Sequence, residues 1–170
     1  MGGVYTPTDS DMTRLQKAIN KMVKKTKPLY NKLIKRGYDP AIAQMISHYP
    51  LPDQVLAYDF KNRESFERTI KAIERQGTAR YRVHKKEKLV KSIVTILIDR
   101  LGVDPAKENE LYEYFNSMTL DQWYAWINEN WDFLDDMLKS YHAGMLGFGI
   151  YDESESKYIL QRFTRGRVKW

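Results

Sequence analysis

Apolar residues recur at three- and four-residue intervals along most of the chain, as expected of helices that each bury one face. After the capping candidates Thr8, Asp9 and Ser10, the positions Met12, Leu15, Ile19, Met22 and Val23 predict a helix from about Asp11 to about Lys25. Pro28 removes a backbone donor and is expected to kink or restart it, with Leu29, Leu33 and Ile34 continuing as far as Gly37. Asp39 and Pro40 then cap a short helix over Ala41 to Ser47, and His48 to Asp53 forms an extended connector.

The second half repeats the pattern. Ser65 to Gln76 predicts a helix stopped by Gly77, with Phe66, Ile70 and Ile73 inward. Arg80 to Leu101 predicts a long helix that begins on the surface and ends in a core. Its β-branched run at Ile93 to Ile98 is compatible with a strand, but the flanking helical periodicity favours helix. Gly102 ends it, Asp104-Pro105 opens another to about Met118, and Thr119 with Gln122 forms a capping box ahead of Trp123, Trp126 and Ile127. Trp131, Phe133, Leu134 and Met137 add a further helical turn or two. With glycines at 144, 147 and 149, Lys139 to Ser156 reads as the principal irregular loop, and Lys157 to Thr164 closes as a short helix or strand. The fold class is mainly α, with basic N-terminal helices followed by a small acidic helical bundle.

Composition narrows the chemistry. In 170 residues there is no Cys, so a disulfide framework, a thiolate zinc site and a cysteine nucleophile are all excluded. His48, His84 and His142 share no ligand spacing, and no Ser/His/Asp constellation can be assembled, so no catalytic residue is assigned. The glycines give G-x-x-G-x-G, which lacks the G-K-[ST] of a Walker loop and the spacing of a dinucleotide fingerprint, and reads better as a flexible turn. The longest apolar run is only Ile93 to Ile98, and Met1 to Asp11 does not resemble a signal peptide, so no membrane association is expected.

Charge changes the picture most. Residues 1–101 carry 21 bases and 10 acids, residues 102–156 carry 2 bases and 12 acids, and residues 157–170 carry 5 bases and no acid. The division suggests a basic region at 1–101 that contacts DNA and an acidic bundle at 102–170 that docks a partner, with its loop at 139–156. Met12 to Tyr38 holds nine bases and no acid, and solvated helix faces usually mix signs. Lys17, Lys21, Lys24, Lys25, Lys32, Lys35 and Arg36, with Arg82, Lys85 and Lys86, are the candidate phosphate contacts, sequence-independent and salt-sensitive. Tyr30, Tyr38, Tyr49, Tyr58 and Tyr81 lie among these bases without a stacking register. Trp123, Tyr124, Trp126, Trp131 and Phe133 are read as core. Asp132, Asp135 and Asp136 have the density to hold Mg²⁺ but fit a solvated acidic face better. Such a face can dock into a cationic channel built for nucleic acid, or neutralise the chain's own bases.

Three stretches carry a resemblance: Tyr81, Lys85 and Lys86 running into a long apolar helix that ends at Gly102, E-L-Y-E-Y-F-N-S-M-T-L-D-Q-W-Y from Glu110 to Tyr124, and W-D-F-L-D-D from Trp131 to Asp136. Together with the basic N-terminal region, these resemble the genome-linked terminal proteins of small tailed phages, over roughly residues 60–165. The resemblance implies a protein primer rather than an enzyme. Its Ser, Thr or Tyr hydroxyl would receive the first dNMP from a partner DNA polymerase, which supplies two Mg²⁺ ions, no cofactor being bound by the primer itself. Ser154 in D-E-S-E matches the acid-flanked serine of that family, with Tyr141 and Ser140 at the other shoulder of the loop, and no motif selects among the three. A DNA-binding nucleoprotein or virion assembly component without covalent priming is the alternative. Either would be soluble, in the host cytoplasm or the virion.

Overall fold

A computed structural model describes residues 5–50, 61–142 and 151–170. Among them the protein is mainly α, as expected, with seven helices and no strand. In chain order these are α1 (Asp9–Lys35), α2 (Pro40–Ser47), α3 (Arg63–Arg75), α4 (Ala79–Asp99), α5 (Glu108–Asn116), α6 (Leu120–His142) and α7 (Glu153–Thr164), with a 3-10 turn at Pro105–Lys107 ahead of α5. The chain forms two compact units that divide within α4, residues 1–82 and residues 83–170. The charge boundary at 101/102 therefore differs from the packing boundary. The first unit holds 16 bases and 8 acids, and the second 12 bases and 14 acids.

In the first unit, α1 packs on α3 through Leu15, Ala18, Ile19, Met22, Phe66, Ile70 and Ile73, with Tyr5 and Val23 against the cluster's edge. A reciprocal cap starts α1: the Asp11 N–H donates to Thr8 Oγ1 at 3.1 Å, and the Thr8 N–H donates to Asp11 Oδ2 at 3.2 Å. Tyr5 donates to the same carboxylate at 2.6 Å, and Arg63 of α3 approaches it at 3.4 Å. Farther along, α2 packs on α1, and Gly77 passes so close that an added Cβ would lie 3.1 Å from Thr26 Cγ2 and 3.2 Å from Lys25 Cβ. The φ of +86° at Gly77 also suits glycine alone.

Pro28 does not end α1 and start a new helix, one of the two outcomes expected of it: one helix runs from Asp9 to Lys35 with the proline inside. Pro28 and Lys24 are both exposed, so the carbonyl that loses its amide partner faces water. α1 packs on both α3 and α2, which support it along its length.

The second unit is built on an aromatic core. Trp126 is fully buried, its indole N–H donates to the Phe163 carbonyl at 2.7 Å, and its ring stacks on Trp123 at 5.2 Å between centroids. Phe115 meets both indoles edge-on. Trp123, Tyr124 and Trp126 are thus core, whereas Trp131 and Phe133 are half-buried. The expected capping box forms, Thr119 N–H to Gln122 Oε1 at 2.9 Å and Gln122 N–H to Thr119 Oγ1 at 3.2 Å. Ile93 to Ile98 is helical, and the further turns expected at Trp131 to Met137 belong to one continuous helix, α6. Asn130 obscured that continuity, because this polar residue occupies an inward position and is satisfied there. Its Nδ2 donates to the Trp126 carbonyl at 2.9 Å, and its Oδ1 accepts from Arg162 Nε at 3.0 Å.

The expected loop at 139–156 is shorter than its sequence suggested. Residues 139–142 continue α6, with Lys139 paired to Asp135 at 2.8 Å one turn back. Asp152 Oδ1 accepts the Glu155 N–H at 2.7 Å and starts α7 at Glu153, so the closing element is a helix four residues longer than expected. The glycine motif at 144, 147 and 149, Tyr58 and the connector from residue 51 to 53 lie outside the described residues.

Candidate nucleic-acid interface

Helical geometry converts the run of nine bases into one stripe. At 100° per residue, Arg14, Lys17, Lys21, Lys24, Lys25, Lys32, Lys35 and Arg36 fall within about 120° of one another, and the stripe extends about 30 Å. Only Lys27 stands apart. Pro28 occupies the gap between Lys25 and Lys32, on the same solvent-facing side. The buried face of α1, with Leu15, Ile19, Met22, Thr26 and Leu33, points elsewhere, so the cations flank the core rather than crossing it.

The N-terminal half of the stripe forms one wall of an open groove of about 570 Å³ between α1 and α3, lined by Arg14, Lys17, Lys21 and Lys25 with Ile73 and Glu74 opposite. Arg14 is tied to Glu67 of α3 at 2.7 Å, and its guanidinium, chiefly through this bond, holds the Glu67 carboxyl below its ordinary range. Lys17, Lys21, Lys24, Lys25 and Lys35 are exposed and form no ion pair among the described residues. A lysine row of this kind offers mobile point charges to a polyanion without a base-reading fork.

The remaining candidate cations are placed differently. Arg82 is half-buried and donates to the Gly77 carbonyl at 2.8 Å. Lys86 donates to the Met118 carbonyl at 2.8 Å, lies 5.8 Å over Trp123, and has its pKa lowered by burial. Lys85 is exposed. Among the tyrosines, Tyr30 packs on Tyr49 at 4.8 Å and Tyr81 on His48 at 5.2 Å.

Two of the three acidic candidates have partners within their own unit. Asp135 holds Lys139, Asp132 lies 3.6 Å from Arg162, and Glu129 holds Arg165 at 3.0 Å. Asp136 is exposed on the same helix. Among the described residues, no three His, Asp or Glu side chains converge as a metal site, and no helix is long and apolar enough to cross a membrane.

Of the three hydroxyls, Ser154 is the most accessible, exposed in the first turn of α7 between Glu153 and Glu155. Ser140 and Tyr141 are half-buried in the last turns of α6, with Arg100 at 5.6 Å over the Tyr141 ring. Two features escaped the sequence reading: the α3 carboxylates, Glu74 in the groove's lining and Glu67 on Arg14, and the pairing of the basic C-terminal segment with α6. The phase of the lysines was legible in their spacing; the pairings needed the fold.

The class of protein defined by fold and site is a small helical protein with a one-sided cationic helix. No protein-family model matches the chain, and no curated protein or solved structure is significantly similar to it.

Proposed function

We propose that this protein binds DNA through phosphate contacts along α1, without base readout. The observation that carries this reading is the alignment of seven bases of one helix and its C-cap Arg36 on one side, five of them lysines without an ion pair among the described residues. Counterion release gives a slope of about −0.9 in log K against log salt for each phosphate neutralised on duplex DNA. The test is anisotropy of a labelled duplex titrated at several salt concentrations. Replacing Lys17, Lys21, Lys24 and Lys25 by Gln, which keeps helix propensity, is expected to flatten the slope by about 3 to 4 units. Lys86→Gln is expected to leave it unchanged. Unaltered affinity of the fourfold variant would refute the assignment.

A second reading, protein priming, rests on Ser154, the exposed acid-flanked hydroxyl. Its Oγ would attack the α-phosphorus of a dNTP, giving a phosphoester and releasing pyrophosphate, with the hydroxyl proton passing to a base of the partner polymerase and Mg²⁺ supplied there. Intact mass of protein from its native source, before and after nuclease digestion, tests this. An adduct of one or more nucleotides mapped to Ser154 supports priming, and an unmodified mass leaves the non-covalent DNA-binding role alone.

A further inference from the structure

A second pocket, of about 380 Å³, lies in the unit of residues 83–170 and is lined by Tyr114, Ser117, Met118, Gln122, Arg165 and Arg167. That unit carries more acids than bases, yet none of these lining residues is a carboxylate. Its donors come from two directions. The first turn of α6 contributes Gln122, whose carboxamide oxygen is taken by the Thr119 N–H, leaving its NH₂ to donate, while the Ser117 hydroxyl on the same rim is spent on the Tyr114 carbonyl at 2.8 Å. The C-terminal segment contributes two guanidiniums on either side of Gly166.

The turn that carries these arginines is well anchored. Gly166 N–H donates to the Gln161 carbonyl at 2.9 Å, Arg167 N–H to the Thr164 carbonyl at 2.9 Å, and Val168 is buried. Arg165 adopts a left-handed φ of 52°, where glycine or asparagine is usual, and one of its nitrogens is held by Glu129 at 3.0 Å. Arg167 is exposed and forms no ion pair among the described residues. The Tyr114 phenol is pushed up first by burial; the nearby Arg165 and Arg167 oppose that shift, and the Glu129 carboxylate adds to it.

We propose that this pocket binds a phosphate group, separately from the α1 stripe. The Arg167 fork, the Arg165 nitrogens not held by Glu129, a phenol and a carboxamide supply more donors than a carboxylate can use, and they match a tetrahedral anion with three acceptor oxygens. Inorganic phosphate and the 5′-phosphate of an oligonucleotide share this chemistry.

The test is an amide and arginine Nε NMR titration of the full chain carrying the fourfold α1 substitution, so that loss of the stripe cannot affect the result. The probes are inorganic phosphate, a 5′-phosphorylated dinucleotide and its 5′-hydroxyl counterpart. Saturable shifts at Ser117, Gln122, Gly166 and Arg167 are expected with phosphate-bearing probes, and Arg167→Gln should weaken them at least tenfold without altering the melting curve. Tighter binding of the phosphorylated dinucleotide than of inorganic phosphate assigns the site to a nucleic-acid end, and equal binding to a free anion. No saturable shift at millimolar probe, or undiminished affinity in Arg167→Gln, overturns the proposal.

Discussion

Single residues here do different work from what their type alone suggests. Lys86 and Lys24 are both lysines in basic stretches. One donates to a carbonyl beside Trp123, and the other lies on an open face. Asp11 is an acid at a helix start, but it also ties Tyr5 to α3 through Arg63. Its carboxyl is held below its ordinary value, first by the Tyr5 hydroxyl and then by the Thr8 N–H. A depressed folded pKa stabilises the fold above the unfolded value of about 3.9, and the gain disappears as pH falls through the lower folded value. The urea midpoint of Asp11→Asn should therefore lie below that of the parent at pH 6, with the gap closing as pH falls below about 4. A gap that stays constant across this range would rule out the linkage.

Among the elements, α1 is the one on whose continuity the proposed DNA contact depends most. A break at Pro28 would have let the lysines before and after it point in different directions; the intact helix keeps them in one stripe. Because the proline sits on the exposed face without a packing role, restoring its amide should strengthen the helix. Pro28→Ala is expected to raise unfolding free energy by roughly 1–3 kcal/mol in urea denaturation, with DNA affinity unchanged. A destabilised variant would mean that the proline itself maintains the local path of α1. In α6 the concealing residue was Asn130. Its inward amide is satisfied by the Trp126 carbonyl and Arg162, a long-range partner that local spacing does not reveal.

For the whole molecule, the two units differ in both charge and optical properties. All four tryptophans, at 123, 126, 131 and 170, lie in the second unit, while the α1 stripe lies in the first. Tryptophan emission thus reports the second core alone, and far-UV circular dichroism reports helices in both. Denaturant transitions followed by the two probes are expected not to coincide, and DNA bound on α1 should leave the emission nearly unchanged. Coincident transitions would show that the units unfold as one cooperative body.

The sequence by itself determined the helices and most of their ends, because apolar periodicity, Gly77, Gly102 and the Thr119–Gln122 box act within a few residues. It also determined the sign and phase of the α1 charges, since both follow from residue type and 3.6-residue spacing. Tertiary structure alone decided which charges stay open to a ligand. Glu67 reaches Arg14 across 53 positions, and Glu129 and Asp132 reach the arginines of the C-terminal segment across 30 or more. Whether a charged side chain is engaged or free depends on what folding brings within a few ångströms of it, and that neighbour is distant in sequence.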